Sequence, residues 1–320
     1  VFHIANFLYH AAAGGARGLG ATLESFPFLG RYLGELKERL PEKSGWQASL
    51  AWWDAELEAW ERGNAQNLPL CRAFSLRAER IAVLLIGLVE EDARFGPLFA
   101  AIEDRPGARR PALATVEAVL GAAGVPGGVC ARLIERGAVA VVDPSVPRSE
   151  WELRVCAPVW QVIRGEAPGG EGGFRFVPLE ELPEPGSLAA GPGGLESELA
   201  NLAGLVRGRK ARAVVVRGSP GSDRLRVLGS LARSLGLNLL LLEPGEDKNE
   251  SKETAKAPWL GVLAQLTGSL PVFQVDPFPG EIYRVPALRG LDGPVGVAAG
   301  LFGAIVFEGG GLDGSMDEPA

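Results

Sequence analysis

The sequence predicts two domains of different class: a helix-rich α+β domain carrying a β-hairpin, then an α/β domain built on a parallel sheet. Three observations carry this reading. Apolar residues recur at three- and four-residue steps through most of residues 22–134, the period of helices that bury one face. A Gly- and Pro-rich stretch, 165–195, interrupts the pattern. Beyond it, short aliphatic runs alternate with helical segments, the order of a parallel sheet with helical crossovers. The boundaries this gives are a helical region 1–72, a helix–hairpin domain 73–165, a linker 166–194 and an α/β domain 195–320.

Composition narrows the function. With 32 Lys and Arg against 39 Asp and Glu, the net charge is −7, which removes the bulk attraction that non-specific DNA or anionic-membrane binding uses. The three cysteines, Cys71, Cys130 and Cys156, are far apart and odd in number, arguing against a disulfide scaffold or a cysteine zinc site and for a reducing, cytoplasmic compartment. The two histidines, His3 and His10, leave little for metal or triad chemistry. No catalytic or metal-ligating set is read, and no segment reaches the roughly 20 apolar residues that span a bilayer. The opening 1–13 is apolar without a basic start, so it does not read as a signal peptide; lacking an initiator Met, the chain is expected to begin inside a longer reading frame or after processing.

Residues 22–62 read as two helices. Leu29, Leu33, Leu36 and Leu40 stripe the first, which Pro41 ends; Leu50, Trp53, Leu57 and Trp60 stripe the second, opposite Asp54, Glu56 and Glu61. The plainer reading of the tryptophan stripe is helix packing, with a partner-binding groove as the alternative. Ser75 is expected to cap a helix to about Asp92. Helices follow at 95–102, at 112–122 with Pro111 in its first position, and at 131–134. Strands at 138–142 and 150–155 flank the turn Asp143-Pro144. Helices followed by a hairpin is the element order of a winged helix. The helix expected to be presented, 112–122, has no Lys or Arg, and Arg109, Arg110, Arg132 and Arg136 stand among Glu117, Glu135 and Asp143. This favours a protein partner over DNA.

Within the linker, 174–179 is expected to dock as an extended strand. A helix at 195–206 and a basic stretch (Arg207, Arg209, Lys210, Arg212) lead to 213–216, read as a buried parallel strand. A tight loop, Gly218 to Arg224, precedes the helix 225–235, ended by Gly236, and the strand 237–242. A helix at 259–266 and strands at 271–275, 281–285, 295–299 and 304–307 complete the domain.

The loop stands where a nucleotide-binding P-loop belongs, between a strand and a helix N-terminus. Against G-x-x-x-x-G-K-[ST], Gly218 matches the first glycine, while Asp223, Arg224 and Leu225 replace the second glycine, the lysine and the magnesium-binding hydroxyl. A carboxylate about 5 Å from a phosphate charge at an effective dielectric near 20 is repelled by about 3 kcal/mol. Asp223 would instead complement the helix dipole and fill the anion site itself. Arg224 is bulkier than lysine, and Leu225 cannot ligate magnesium. The nearest imitations of an acidic Walker B strand end are Asp276, followed by Pro277, and Glu308, followed by glycines; both read more simply as strand-end turns.

The stretches GLVEEDARFGPLFAA (87–101), PRSEWELRV (147–155), PGE (279–281), VPAL (285–288) and GPVGV (293–297) resemble a family of bacterial AAA+ ATPases with an N-terminal winged-helix region. The resemblance covers most of residues 20–310. It implies a degenerate first ATPase module, an active second one that this chain lacks, and for some members an association with phage-tail-like contractile injection systems. The expected role is a regulatory or recruiting part of such an ATPase, with a protein partner at the winged helix, homo-oligomers, and ATP or ADP with Mg2+ held by Gly218, Gly221 and Ser222 N–H groups and Arg224. The alternatives are an oligomeric ATPase using Arg224 and Asp276, a DNA-binding winged helix, and a scaffold in which the loop is only a turn.

Overall fold

A computed structural model describes residues 3–4, 7–8, 16–38, 46–125, 127–168, 173–187, 195–242 and 257–308. His10, Leu40, Pro41, the side chains of Leu36 and Leu50, and the glycine-rich parts of the linker (169–172 and 188–194) lie outside them. The chain forms two compact units, Val1–Arg164 and Gly165–Ala320. No helix among the described residues is long and apolar enough to cross a membrane.

The first unit opens with α1 (Ala16–Ser25), α2 (Phe28–Lys37) and α3 (Trp46–Asn64). The sequence reading merges α1 and α2; Pro27, which has no N–H to donate, separates them. Leu29 and Leu33 are buried, and the Phe28 ring meets Phe95 edge-on with centroids 5.1 Å apart. On α3, Trp53 and Leu57 are half-buried but Trp60 is 55% exposed, so the tryptophan stripe is not a continuous core face. The acidic residues expected on the solvent side do the docking instead. Asp54 accepts from Arg77 at 2.9 Å and Glu61 from Arg80 at 2.8 Å.

Next come α4 (Pro69–Ala73), α5 (Arg77–Glu91), α6 (Phe95–Ile102), α7 (Leu113–Ala122) and α8 (Val129–Glu135), then β1 (Val139–Val141), β2 (Leu153–Val155) and α9 (Ala157–Ile163). Leu76, not Ser75, is the residue before α5, and no side chain caps it. The Arg80 guanidinium donates to the Phe74 and Ser75 carbonyls just ahead of the helix. Pro111 likewise lies outside α7. Its carbonyl accepts from Leu153 N–H, Ala112 makes an isolated antiparallel bridge to Glu152, and Leu113 N–H donates to the Trp151 carbonyl, which ties this segment to the residues leading into β2. The segment 147–151 begins with a 3-10 turn (Arg148–Glu150), so β2 is shorter than expected.

Helix α7 is a core helix: Leu113, Val116, Val119 and Leu120 are all buried, so it is not the presented element the sequence suggests. Two arginines at and just after the end of α8 pair with a buried acid; the Arg132 side chain stays 43% exposed and that of Arg136 20%. Glu79 of α5, 3% exposed, accepts from Arg132 at 3.2 Å and from Arg136 at 3.3 Å, and Arg136 also donates to the Ala73 carbonyl. Arg110 pairs with Glu90. Gly87 lets α5 approach α9, since a Cβ there would sit 2.2 Å from the Trp160 ring.

In the second unit, β3 (Phe174–Val177), α10 (Leu195–Arg207), β4 (Ala213–Arg217), α11 (Arg224–Leu235), β5 (Asn238–Leu242), α12 (Leu260–Thr267), β6 (Ser269–Val275), β7 (Ile282–Val285), β8 (Val295–Ala299) and β9 (Ala304–Phe307) follow. Helices flank a five-stranded sheet of order β3-β5-β6-β8-β4, parallel except for β3. The segment expected to dock as a strand does so at one edge, steadied by Asn238, whose side chain accepts from Leu179 N–H and donates to the Thr267 carbonyl. Leu199 and Ala203 of α10 and Leu228 and Leu231 of α11 pack on Leu239, Leu241, Leu270 and Val272. Glycines in the left-handed conformation, Gly236 and Gly268, end α11 and α12. Strand β4 departs from expectation: it is the other edge strand, and Val215 is 38% exposed. Strands β7 and β9 form a separate two-stranded parallel sheet.

Replacing Glu79 by Ala removes the buried acceptor of two arginines that are themselves partly exposed, and should destabilise the first unit by about 1–2 kcal/mol, read as a lower urea midpoint at unchanged slope. A pH dependence follows from Asp92, whose carboxyl is held down at about 2 chiefly by hydrogen bonds from Arg94, joined by the Tyr32 hydroxyl. Because the folded value lies below the unfolded one of about 3.9, this contribution is complete above pH ~4 and is lost as pH falls through about 2. Asp92→Asn should flatten that acid limb of the stability curve.

Candidate functional site

Parallel α/β sheets bind ligands outside the carboxyl ends of their strands. Here those ends bring together the 218–223 loop after β4, Asp276 after β6 and Gly300 after β8. Of the two candidate acids, Asp276 reaches this place, whereas Glu308 follows β9 in the separate small sheet.

The centre of the site is an ion pair. Arg224, in the first turn of α11 and only 5% exposed, grips Asp276 with both guanidinium nitrogens, Nη1 to Oδ1 at 2.5 Å and Nη2 to Oδ2 at 2.8 Å. The carboxylate is 45% exposed, so the pair is open to solvent on the Asp276 side. Hydrogen bonds from Arg224 to Asp276 raise the guanidinium pKa above its ordinary value against the opposing effect of burial. Gly300 makes the approach possible: a Cβ there would lie 2.9 Å from Asp276 Oδ1. Arg217 fastens the adjoining loop by donating to the carbonyls of Gly300, Phe302 and Gly303 at 3.0–3.3 Å.

The loop itself is closed. Ser222 N–H donates to the Ser219 carbonyl at 3.0 Å, with Pro220 second and Gly221 third at φ +80°, the composition and backbone of a type II turn. Gly218 N–H donates to the Ala299 carbonyl, and a Cβ on Gly218 would sit 2.2 Å from Ser222 Oγ, so glycine serves closure of the loop. Asp223 does not fill the cradle; its carboxylate pairs with Arg226 at 3.2 Å on the outer side of α11. Leu225 joins the core.

A triphosphate needs an open arc of N–H donors and a free cation. In this arrangement Gly218 N–H, Ser222 N–H and Arg224 are already engaged within the chain, and the hydroxyl position is a core leucine. The residues do not fit Mg-ATP as they stand. Among the described residues no group of three His, Cys, Asp or Glu side chains is placed to hold a metal ion. The feature that sequence reasoning missed is the pairing of Arg224 with Asp276. The run 271–276 pointed to Asp276, but not to its being consumed by the residue at the lysine position. Comparison with protein-family models, curated proteins and solved structures returned no match.

Asp276→Ala leaves a nearly buried guanidinium unpaired. Because Asp276 is itself partly exposed, the expected loss is about 2 kcal/mol for the second unit. In a double-mutant cycle with Arg224→Ala the two losses should be strongly non-additive; additive losses would show that the pair is not coupled.

Proposed function

We propose that this chain is a non-hydrolysing interaction module, in which the α/β unit keeps the shape of a P-loop ATPase domain and the helix–hairpin part of the first unit works as a winged helix that recruits a protein partner. The observation that carries this reading is the Arg224–Asp276 pair beside a closed loop: the cation and acid that would serve phosphate and magnesium neutralise each other. The isolated bridge from Ala112, between α6 and α7, to Glu152 beside the hairpin supports the winged-helix reading. The engagement of Arg132 and Arg136 by Glu79 favours a protein over DNA as the partner. The sequence resemblance suggests the setting, a regulatory or recruiting part of a bacterial cytoplasmic AAA+ assembly of the kind found with contractile injection systems, working as an oligomer.

Calorimetric titration of Mg-ATP and of ADP tests this directly. No heat and no thermal shift are expected at about millimolar nucleotide, against the roughly 8 kcal/mol of binding free energy that micromolar affinity represents. Micromolar binding abolished by Arg224→Ala would overturn the proposal and establish a nucleotide sensor. In the same way, duplex DNA at about 50 mM salt, where phosphate contacts are strongest, should give no mobility shift.

A further inference from the structure

Strand β4 leaves one edge of the central sheet open. The Arg212 carbonyl accepts from Val295 N–H, and Gly218 N–H donates to the Ala299 carbonyl. In a parallel pair this alternation turns residues 212, 214, 216 and 218 toward β8, so the N–H and C=O groups of Ala213, Val215 and Arg217 point away from the sheet. Among the described residues no strand pairs with that edge, and the side chains of these three residues are all exposed. The result is an uncovered, β-branched edge, the kind of template that folded proteins usually blunt or use.

The charges around it select an occupant. Lys210 and Arg212 are exposed just before the strand, and Arg217 ends it with hydrogen bonds to carbonyl groups, so that among the described residues its charge meets no carboxylate. A second copy would present the same edge. Antiparallel pairing about Val215 would set Ala213 across from Arg217 and Arg212 across from Gly218, and parallel pairing would align like charges. Because residues 210–218 hold no acidic side chain, neither arrangement brings a carboxylate to these cations. An extended segment with acidic residues at its ends meets the same edge with opposite charge.

We propose that the outer edge of β4 is a docking site for an extended, acidic segment of a partner protein, which adds to the sheet as a sixth strand. This surface belongs to the second unit and does not depend on what the winged helix binds or on whether the loop holds nucleotide. Main-chain bonds to Ala213, Val215 and Arg217 would supply register, and Lys210, Arg212 and Arg217 would select the acidic sequence.

The test uses the full chain and a fluorescein-labelled peptide of alternating threonine and valine with glutamate at each end, compared by anisotropy with the same peptide ended by lysine. Saturable binding of the acidic peptide is expected, about tenfold tighter than that of the basic one, the scale of a few exposed ion pairs turned into like-charge contacts. Val215→Pro removes an outward N–H without touching the residues that serve β8, and proline is accepted on edge strands, so it should abolish binding while β4 stays in place. Val215→Thr should bind as the parent does. Should V215P lower the melting temperature, the double variant Lys210→Glu with Arg212→Glu, which leaves the strand intact, still decides the matter by weakening the acidic peptide about fivefold. No saturable binding up to about 1 mM peptide overturns the proposal. So does equal affinity for both peptides, or binding that survives Val215→Pro in a folded protein. A concentration-dependent dimer removed by Val215→Pro overturns it in favour of a second copy of the chain.

Discussion

A guanidinium from the first turn of α11 and a carboxylate from the end of β6 hold each other across the carboxyl ends of the parallel sheet, and the chemistry of the second unit follows from that contact. Fork-to-fork bonding commits one N–H of each Arg224 Nη to Asp276 and makes that carboxylate the anion paired with the site's cation. The neighbours are matched to it. Gly300 gives the carboxylate room, Arg217 ties down the loop that follows, and the 219–222 turn spends its N–H on its own backbone.

The first unit uses the same device for a different end. Glu79, itself buried, pairs with Arg132 and Arg136 and joins α5 to the end of α8, while Asp54 and Glu61 of α3 draw in Arg77 and Arg80 of α5. Arginine suits these places because its delocalised charge is less strongly hydrated than an ammonium and can satisfy several acceptors at once.

Local patterning made most elements legible. Segments such as 95–102 and 295–299 are read to the residue because their apolar patterning acts over a few positions, helped at 295–299 by the bounding Pro294 and Gly300. Errors fell where a distant contact overrides a local preference: Pro111 suits a first helical turn, but its carbonyl pairs with Leu153 instead. Strand β4 looked buried because Ala213–Val216 is wholly apolar, and composition does not tell which strand of a parallel sheet lies at its edge.

By itself the sequence determined most of the helices and strands, that a helix-rich part precedes an α/β part, and that the loop after β4 departs from a working P-loop at three positions; it left α4 and α9 unread, and the Gly- and Pro-rich stretch read as a linker contributes β3 and Leu182 to the second unit. Only the tertiary structure decided that Arg224 is spent on Asp276, that the loop is shut, and that β4 stands open. The physical reason is range. Periodicity and turn chemistry act between residues a few positions apart, whereas Arg224 and Asp276, 52 residues apart, meet only because strand order places β6 near β4 with β8 between them.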